Sequence, residues 1–182
     1  EPTLLDYLTM EDEMRIHEQF QGATWKPNSQ VLWSGLLREE AQAWADEHDM
    51  QTLTTAMGPL LNPMDRSCAQ RRKSAKAWKD YMKGASAIFA WHITRGEYVT
   101  ILSPPPPERF HPSGLTNFQA IEEPIIKGAV PGHAVLHIDI IHPRVRGAED
   151  FRYQLWPVDK TDVWKQKFGD AAYEKRCWRV VQ

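Results

Sequence analysis

Residues 104–107 are four consecutive prolines, and neither a helix interior nor a central strand can run through them. Each proline fixes φ and removes a backbone donor, so Pro104-Pro105-Pro106-Pro107 must form an extended, solvent-exposed connection. The chain changes character shortly before this run. Up to about residue 90 the apolar spacing is helical. Thr9 caps a predicted helix to Gln19 whose first turn is acidic. Val31-Leu32-Trp33 is a short apolar lead-in, and Ser34-Gly35 is expected to open a helix to about His48, with Leu37, Ala41, Trp44 and Ala45 on one face. Thr52-Leu53-Thr54-Thr55 reads as a hydroxyl-rich turn, Leu60 to Arg66 as another, and Arg71 to Ala90 as a second long helix.

Beyond residue 90 the pattern is that of strands: Tyr98 to Leu102, Ala134 to Ile141, Phe151 to Trp156 and Cys177 to Val181. Asp159 to Phe168 is a predicted late helix with Gly169 as its stop. The expected architecture is α+β/α, a helical N-terminal lobe packed on a small, mostly parallel sheet with flanking helices. Residues 1–182 are taken as a single catalytic domain, helical over 1–90 and α/β over 91–182.

Charge and cysteine content narrow the function classes. The net charge of −2 gives no general attraction to nucleic acid. No apolar run approaches the ~20 residues of a membrane span. Two cysteines, Cys68 and Cys177, are too few for a disulfide scaffold, although one bridge between them is open. The chain starts at Glu1 without Met, which reads as a processed form or an excised domain. A secreted or delivered effector is therefore favoured over a cytoplasmic protein, and a homodimer is left open.

Glu122 is the residue that asks most for an explanation. It lies in Phe118-Gln119-Ala120-Ile121-Glu122-Glu123-Pro124, an apolar stretch that reads as strand-like, where burying a carboxylate is costly unless chemistry or pairing requires it. In a strand only one of Glu122 and Glu123 can face a pocket. Trp33-Ser34-Gly35 adds a ring able to stack on a flat ligand, a hydroxyl donor and a glycine that permits close approach of a phosphate. The eight tryptophans of the chain are core material or walls for such a ligand.

Taken in order, Leu32-Trp33-Ser34, Thr52-Leu53 with Thr55, Ser86-x-x-Phe89-Ala90, Gly96-x-x-Val99 and Phe118-x-x-Ile121-Glu122 resemble the ADP-ribosyl cyclase / NAD glycohydrolase family. The resemblance covers roughly Val31 to Ile126 and rests on the order and spacing of short motifs. It implies cleavage of the nicotinamide–ribose bond of NAD or NADP, as substrate and with no cofactor. Glu122 would then be the catalytic glutamate that holds the ribose diol while the nicotinamide bond breaks, and Trp33 would position nicotinamide. Ser34 and Ser86 would make polar contacts to the dinucleotide, with Gly35 and Thr54 beside them. Thr116, Asn117 and Phe118 would form the phosphate-binding loop. A second pocket tryptophan is expected where ungapped spacing places Met82, and Trp78 is the nearest substitute. Thr54 stands where the family commonly has glutamate, which leaves the product open between ADP-ribose and cyclic ADP-ribose. The low cysteine content places the resemblance with the microbial branch.

Two alternatives stand beside that reading. One is an ADP-ribosyltransferase toxin, for which the adjacent Glu122-Glu123 leaves room, and the other is a non-catalytic interaction module with a decayed NAD site. His133, His137 and His142 near Asp139 are read as punctuation of a strand, and no metal site is assigned. Arg66 with Arg71-Arg72-Lys73 is read as a solvated helix face.

Overall fold

The computed structural model describes residues 6–174. Six helices surround one four-stranded sheet among these residues. They are α1 (Met10–Phe20), α2 (Arg38–Glu47), α3 (Leu53–Met57), α4 (Ala75–Ile93), α5 (Glu123–Ile126) and α6 (Thr161–Glu174). The strands are β1 (Val31–Trp33), β2 (Tyr98–Leu102), β3 (His137–Ile141) and β4 (Tyr153–Trp156), in spatial order β1-β2-β3-β4. β1, β2 and β3 run parallel, and β4 pairs antiparallel with β3. The expected small, mostly parallel sheet with helices around it is what the chain forms.

Parallel strands need both faces covered, and the residue alternation shows how this is met. Val31 pairs with Thr100 and Trp33 with Leu102, while Leu102 in turn pairs with Ile141. Val31, Leu102 and Ile141 pack on Leu36, Ala41, Trp44 and Ala45 from the α2 side. The alternate residues Leu32, Val99, Ile101, Ile138 and Ile140 face the larger core, with Phe20, Met57, Phe89 and Phe118. That larger core joins residues from both halves of the chain, so the helical part and the sheet are packed as one body.

Helix starts follow local chemistry. Thr9 accepts from the Asp12 N–H at 3.1 Å, and Ser74 accepts from the Ala77 N–H at 3.1 Å. Thr52 likewise accepts from the Thr55 N–H, so 52–55 is the start of α3 and not a free turn. The helix expected from Ser34 begins later, at Arg38, with Leu37 at its N-cap and no side-chain cap. Gly35 interposes a turn with φ of +71°, a conformation that L side chains rarely adopt. α6 continues through Gly169 to Glu174, because an isolated glycine weakens a helix without ending it. The strand expected at Cys177 to Val181 lies outside the described residues. Cys68 is buried with a free thiol, and Cys177, with which the sequence leaves a bridge open, lies outside the described residues.

The largest revision concerns residues 118–126. Phe118–Glu122 form one wide π turn that runs directly into α5, so the segment is helical and not strand-like. Phe118, Glu122 and Ile126 are all buried, a spacing of four that a helix places on one face. Pro124 has no N–H to offer the carbonyl of Ala120, which interrupts the α-helical ladder at this point.

Ser74 anchors the helix that carries one long wall of the cleft described next. Ser74→Ala leaves the Ala77 N–H without its cap, and a loss of about 1 kcal/mol in urea unfolding is expected.

Candidate active site

The described residues enclose a cleft of about 1420 Å³ at the C-terminal ends of β1 and β2. Sheets of this kind open their ligand sites there, because successive crossovers leave the strand ends exposed between loops. Three segments make the walls. The first runs from Val31 through Glu39, the second is the α4 face of Trp78, Met82, Ser86 and Phe89, and the third is residues 107–122.

All ten residues singled out from the sequence line this one cleft: Trp33, Ser34, Gly35, Thr54, Trp78, Ser86, Thr116, Asn117, Phe118 and Glu122. They arrive by different routes. Trp33 ends β1, and Ser34 follows it with its N–H donating to the Leu102 carbonyl at 3.0 Å. Ser34 is therefore fixed by the sheet and does not start a helix. Trp78, Met82 and Ser86 succeed one another every four residues on α4, so both the spacing-derived Met82 and its substitute Trp78 reach the cleft. Trp78 stacks on the Tyr81 ring with centroids 4.9 Å apart.

Glu122 is the chemical centre of the wall. It is 9% exposed, and its carboxylate has neither a hydrogen bond nor an ion pair with the described residues. Loss of hydration alone pushes its pKa up to about 8. The free cleft thus holds Glu122 protonated at neutral pH. Glu123, one residue on, turns outward and pairs with Lys127 at 3.3 Å. The two acids do part company as expected, but through helical rotation of about 100° per residue and not through strand alternation.

Ser34 is the second unsatisfied group. Its Oγ is buried and has no hydrogen-bond partner, a condition that usually marks a missing water or ligand. Thr116 differs from expectation. Its hydroxyl donates to Gln119 Oε1 at 2.9 Å and accepts from the Gln119 N–H at 3.2 Å. This is a capping box at the entrance to the π turn, so the Thr116 side chain already has a structural task. Asn117 is exposed at the mouth with no side-chain hydrogen bond, and Phe118 is buried under Phe110, with ring centroids 5.5 Å apart.

Sequence reasoning missed part of the lining. Met82 and Phe89 were already in view, as the spacing-derived position and as a motif residue, and with Trp78 and Ser86 they form a single helical stripe at steps of four, four and three. Pro107, Glu108, Phe110, His111 and Pro112 were not, because an irregular loop after a proline run has no period to follow. Arg38 and Gln42 come from the first turns of α2, and Leu61, Pro63 and Gln70 from the connection ahead of α4.

The histidines near β3 are dispersed. His133 lies in the turn before the strand, His137 Nδ1 donates to Asp139 Oδ1 at 3.1 Å, and His142 is buried after the strand. Among the described residues no group of three or more His, Cys, Asp or Glu side chains is arranged to hold a metal. In the basic cluster Lys73 pairs with Asp12 at 2.7 Å, while Arg66, Arg71 and Arg72 are exposed. No described helix is long and apolar enough to cross a membrane.

No family model matches the chain, and neither a curated protein nor a solved structure is significantly similar to it. The cleft must therefore be read from its own chemistry. A mostly apolar and aromatic space whose one buried acid is unpaired suits a flat ligand that carries hydroxyl groups and a positive charge.

The raised pKa of Glu122 has a definite sign in stability. Between about pH 4.5 and pH 8 the unfolded chain has released this proton while the folded chain still holds it, so folding loses stability as pH rises. Glu122→Gln removes that penalty. Its stability relative to the natural chain should be flat below pH 4.5, climb by on the order of 5 kcal/mol up to pH 8, and level off above, in urea titrations at each pH.

Proposed function

We propose that the protein cleaves the bond between nicotinamide and ribose in NAD or a related dinucleotide, with Glu122 as the catalytic residue. The observation that carries this reading is the buried, unpartnered Glu122 carboxyl, set in an aromatic cleft where Trp33, Ser34, Ser86 and Phe118 converge. The order and spacing of those residues is also what makes the chain resemble the ADP-ribosyl cyclase / NAD glycohydrolase family.

The chemistry follows from charge. The nicotinamide ring is a pyridinium, and as its bond to C1′ breaks the bonding electron pair neutralises the ring nitrogen. Positive charge moves to the ribose, in an oxocarbenium-like state. A carboxylate below the sugar stabilises that charge and accepts hydrogen bonds from the ribose hydroxyls. No acid is needed for departure, since neutral nicotinamide is a good leaving group. Water then adds to C1′, gives up a proton to solvent and yields ADP-ribose. Attack by the adenine ring of the same molecule would instead give the cyclic product.

Glu122 suits this task because it is unpaired in the free cleft. A cationic substrate supplies the counter-charge that burial denies it, so binding favours ionisation and the ionised acid is strongest in the low-dielectric site. Trp33 offers a face to the pyridinium, a cation–π contact of about 0.5–2 kcal/mol. The orphaned Ser34 hydroxyl gains a partner when a polar substrate enters. Thr54, half-buried on α3, places a neutral hydroxyl at the cleft where an acid would restrain water differently.

Incubation with NAD alone, with products resolved by chromatography, tests the reading. Nicotinamide release is expected, with at least ~100-fold loss in Glu122→Gln. In the active protein kcat/KM should rise with pH and level near pH 8, because the free enzyme must lose the Glu122 proton. Release only in the presence of an added protein or nucleotide acceptor would assign transfer instead. A folded protein with no turnover under either condition overturns the enzymatic reading.

A further inference from the structure

We propose that Arg109 is a positioning residue for the cleft wall formed by residues 107–118, held in place by the start of α6. The inference rests on the functional reading above for its kinetic consequence, but its structural basis is independent of that reading. The wall leaves β2 at Leu102 and returns at the π turn, with no regular structure between Ser103 and Asn117. A stretch of this length without backbone ladders needs side-chain anchors to hold a defined shape.

Arg109 lies between Glu108 and Phe110, which both line the cleft, while its own side chain turns away from it. Nη1 donates to Thr161 Oγ1 at 2.7 Å and Nη2 donates to Asp159 Oδ2 at 2.9 Å, with Nη1 also 3.5 Å from Asp159 Oδ1. The Arg109 side chain is only 19% exposed while Asp159 is 45% exposed, so the fork is shielded on its arginine and Thr161 side and open to solvent at the carboxylate. Asp159 is itself fixed, since its Oδ1 accepts from the Thr161 N–H at 3.0 Å and from the Thr161 hydroxyl. The loop is thus tied at its midpoint to the first turn of α6, some fifty residues away in sequence.

The other anchors are at the ends. Ser103 is buried at the base, where His142 Nδ1 lies 3.1 Å from its carbonyl oxygen. At the far end Gln119 Nε2 donates to the His111 carbonyl at 2.9 Å. Between these points, among the described residues, only Arg109 ties the wall by a charged contact to a distant segment. Its guanidinium also sits 5.8 Å from the Phe110 ring, which stacks on Phe118. Removing the fork leaves Phe110 without its outer support, and Phe110 covers the residue one helical turn from Glu122.

The consequence is a split between binding and chemistry. A loose wall must be ordered each time a dinucleotide enters, and that ordering is drawn from binding energy. Glu122 itself is held by the buried π turn and α5, so the chemical step is affected less. A role in global stability alone would lower the active fraction, hence apparent kcat, and leave KM as it was.

The test uses the full chain as Arg109→Gln, Arg109→Lys and Asp159→Asn, with amide hydrogen exchange on the ligand-free protein and nicotinamide release from NAD. Arg109→Gln and Asp159→Asn are expected to speed exchange over residues 107–117 about tenfold, while α4 and β2 keep natural protection. KM for NAD should rise about tenfold with kcat changed less than threefold, and Arg109→Lys, which keeps the charge but not the fork, should fall between. Should Arg109→Gln not fold, Asp159→Asn decides alone, because its remaining oxygen can still accept from Thr161. Unchanged loop exchange overturns the proposal, as does a fall in kcat at constant KM. A natural protein that releases no nicotinamide sinks the functional reading, and the exchange experiment then decides the clamp by itself.

Discussion

The cleft depends on a short piece of parallel pairing, the three-residue contact of β1 with β2. A parallel pair cannot be closed by a hairpin, so the chain between the two strands must cross over and return. Here the crossover holds α2, α3 and α4, which cover both faces of the sheet. The same pairing brings Trp33 and Ser34 beside Leu102 and Ser103, where both strands end together. Two of the three walls follow from what leaves those strand ends, the turn at Gly35 and the proline-led loop after β2, and the crossover helix α4 supplies the third.

Within that frame the acid and its surroundings work against each other in the free protein. Glu122 faces an apolar cleft, has no partner and is driven toward its protonated form. A structural carboxylate in such a place would be expected to have acquired an arginine or a set of backbone donors, as Glu40 has with Arg144 and Asp159 with Arg109. Glu122 lies instead on a π turn, where the chain accepts poorer backbone hydrogen bonding to aim one side chain. Stability is given up at this position, where the acid is buried without a partner. Ser34 repeats the pattern on the opposite wall, with a buried hydroxyl and no partner.

Much of this was legible in the sequence, and the failures have physical causes. The sheet strands were readable because β-branched and aromatic residues cluster between turn formers, as at Tyr98 to Leu102. Glu122 was singled out from an incorrect local structure, yet it is buried and lines the cleft. Phe118-Gln119-Ala120-Ile121-Glu122 is apolar enough to pass for a strand, and its helical spacing shows only when Ile126 is counted past Pro124. Ser34-Gly35 looked like a helix start because serine is a good cap, yet the sheet claimed the Ser34 N–H first through Leu102. Tertiary pairing outweighed local propensity at both places. The Arg109 fork had no sequence signal, since it joins residues fifty positions apart that share no period.

The proline run that divides the sequence also explains why a distant anchor is required. Proline cannot donate to a ladder, so residues 104–107 leave the sheet without any backbone support from their own N–H groups. The loop that follows is stiff where it starts and free where it reaches the cleft. Stiffness alone sets a direction but not an end point. Arg109 supplies that end point by engaging Asp159 and Thr161, and Phe110 carries it across to Phe118. The acid at the cleft and the first turn of α6 are thereby joined through two stacked rings and one charged fork. Glu122 and Arg109 lie thirteen residues apart in one stretch, and the groups that hold that stretch, Asp159 and Thr161, come from a part of the chain some fifty residues further on, so the cleft wall takes its shape only once the start of α6 has docked.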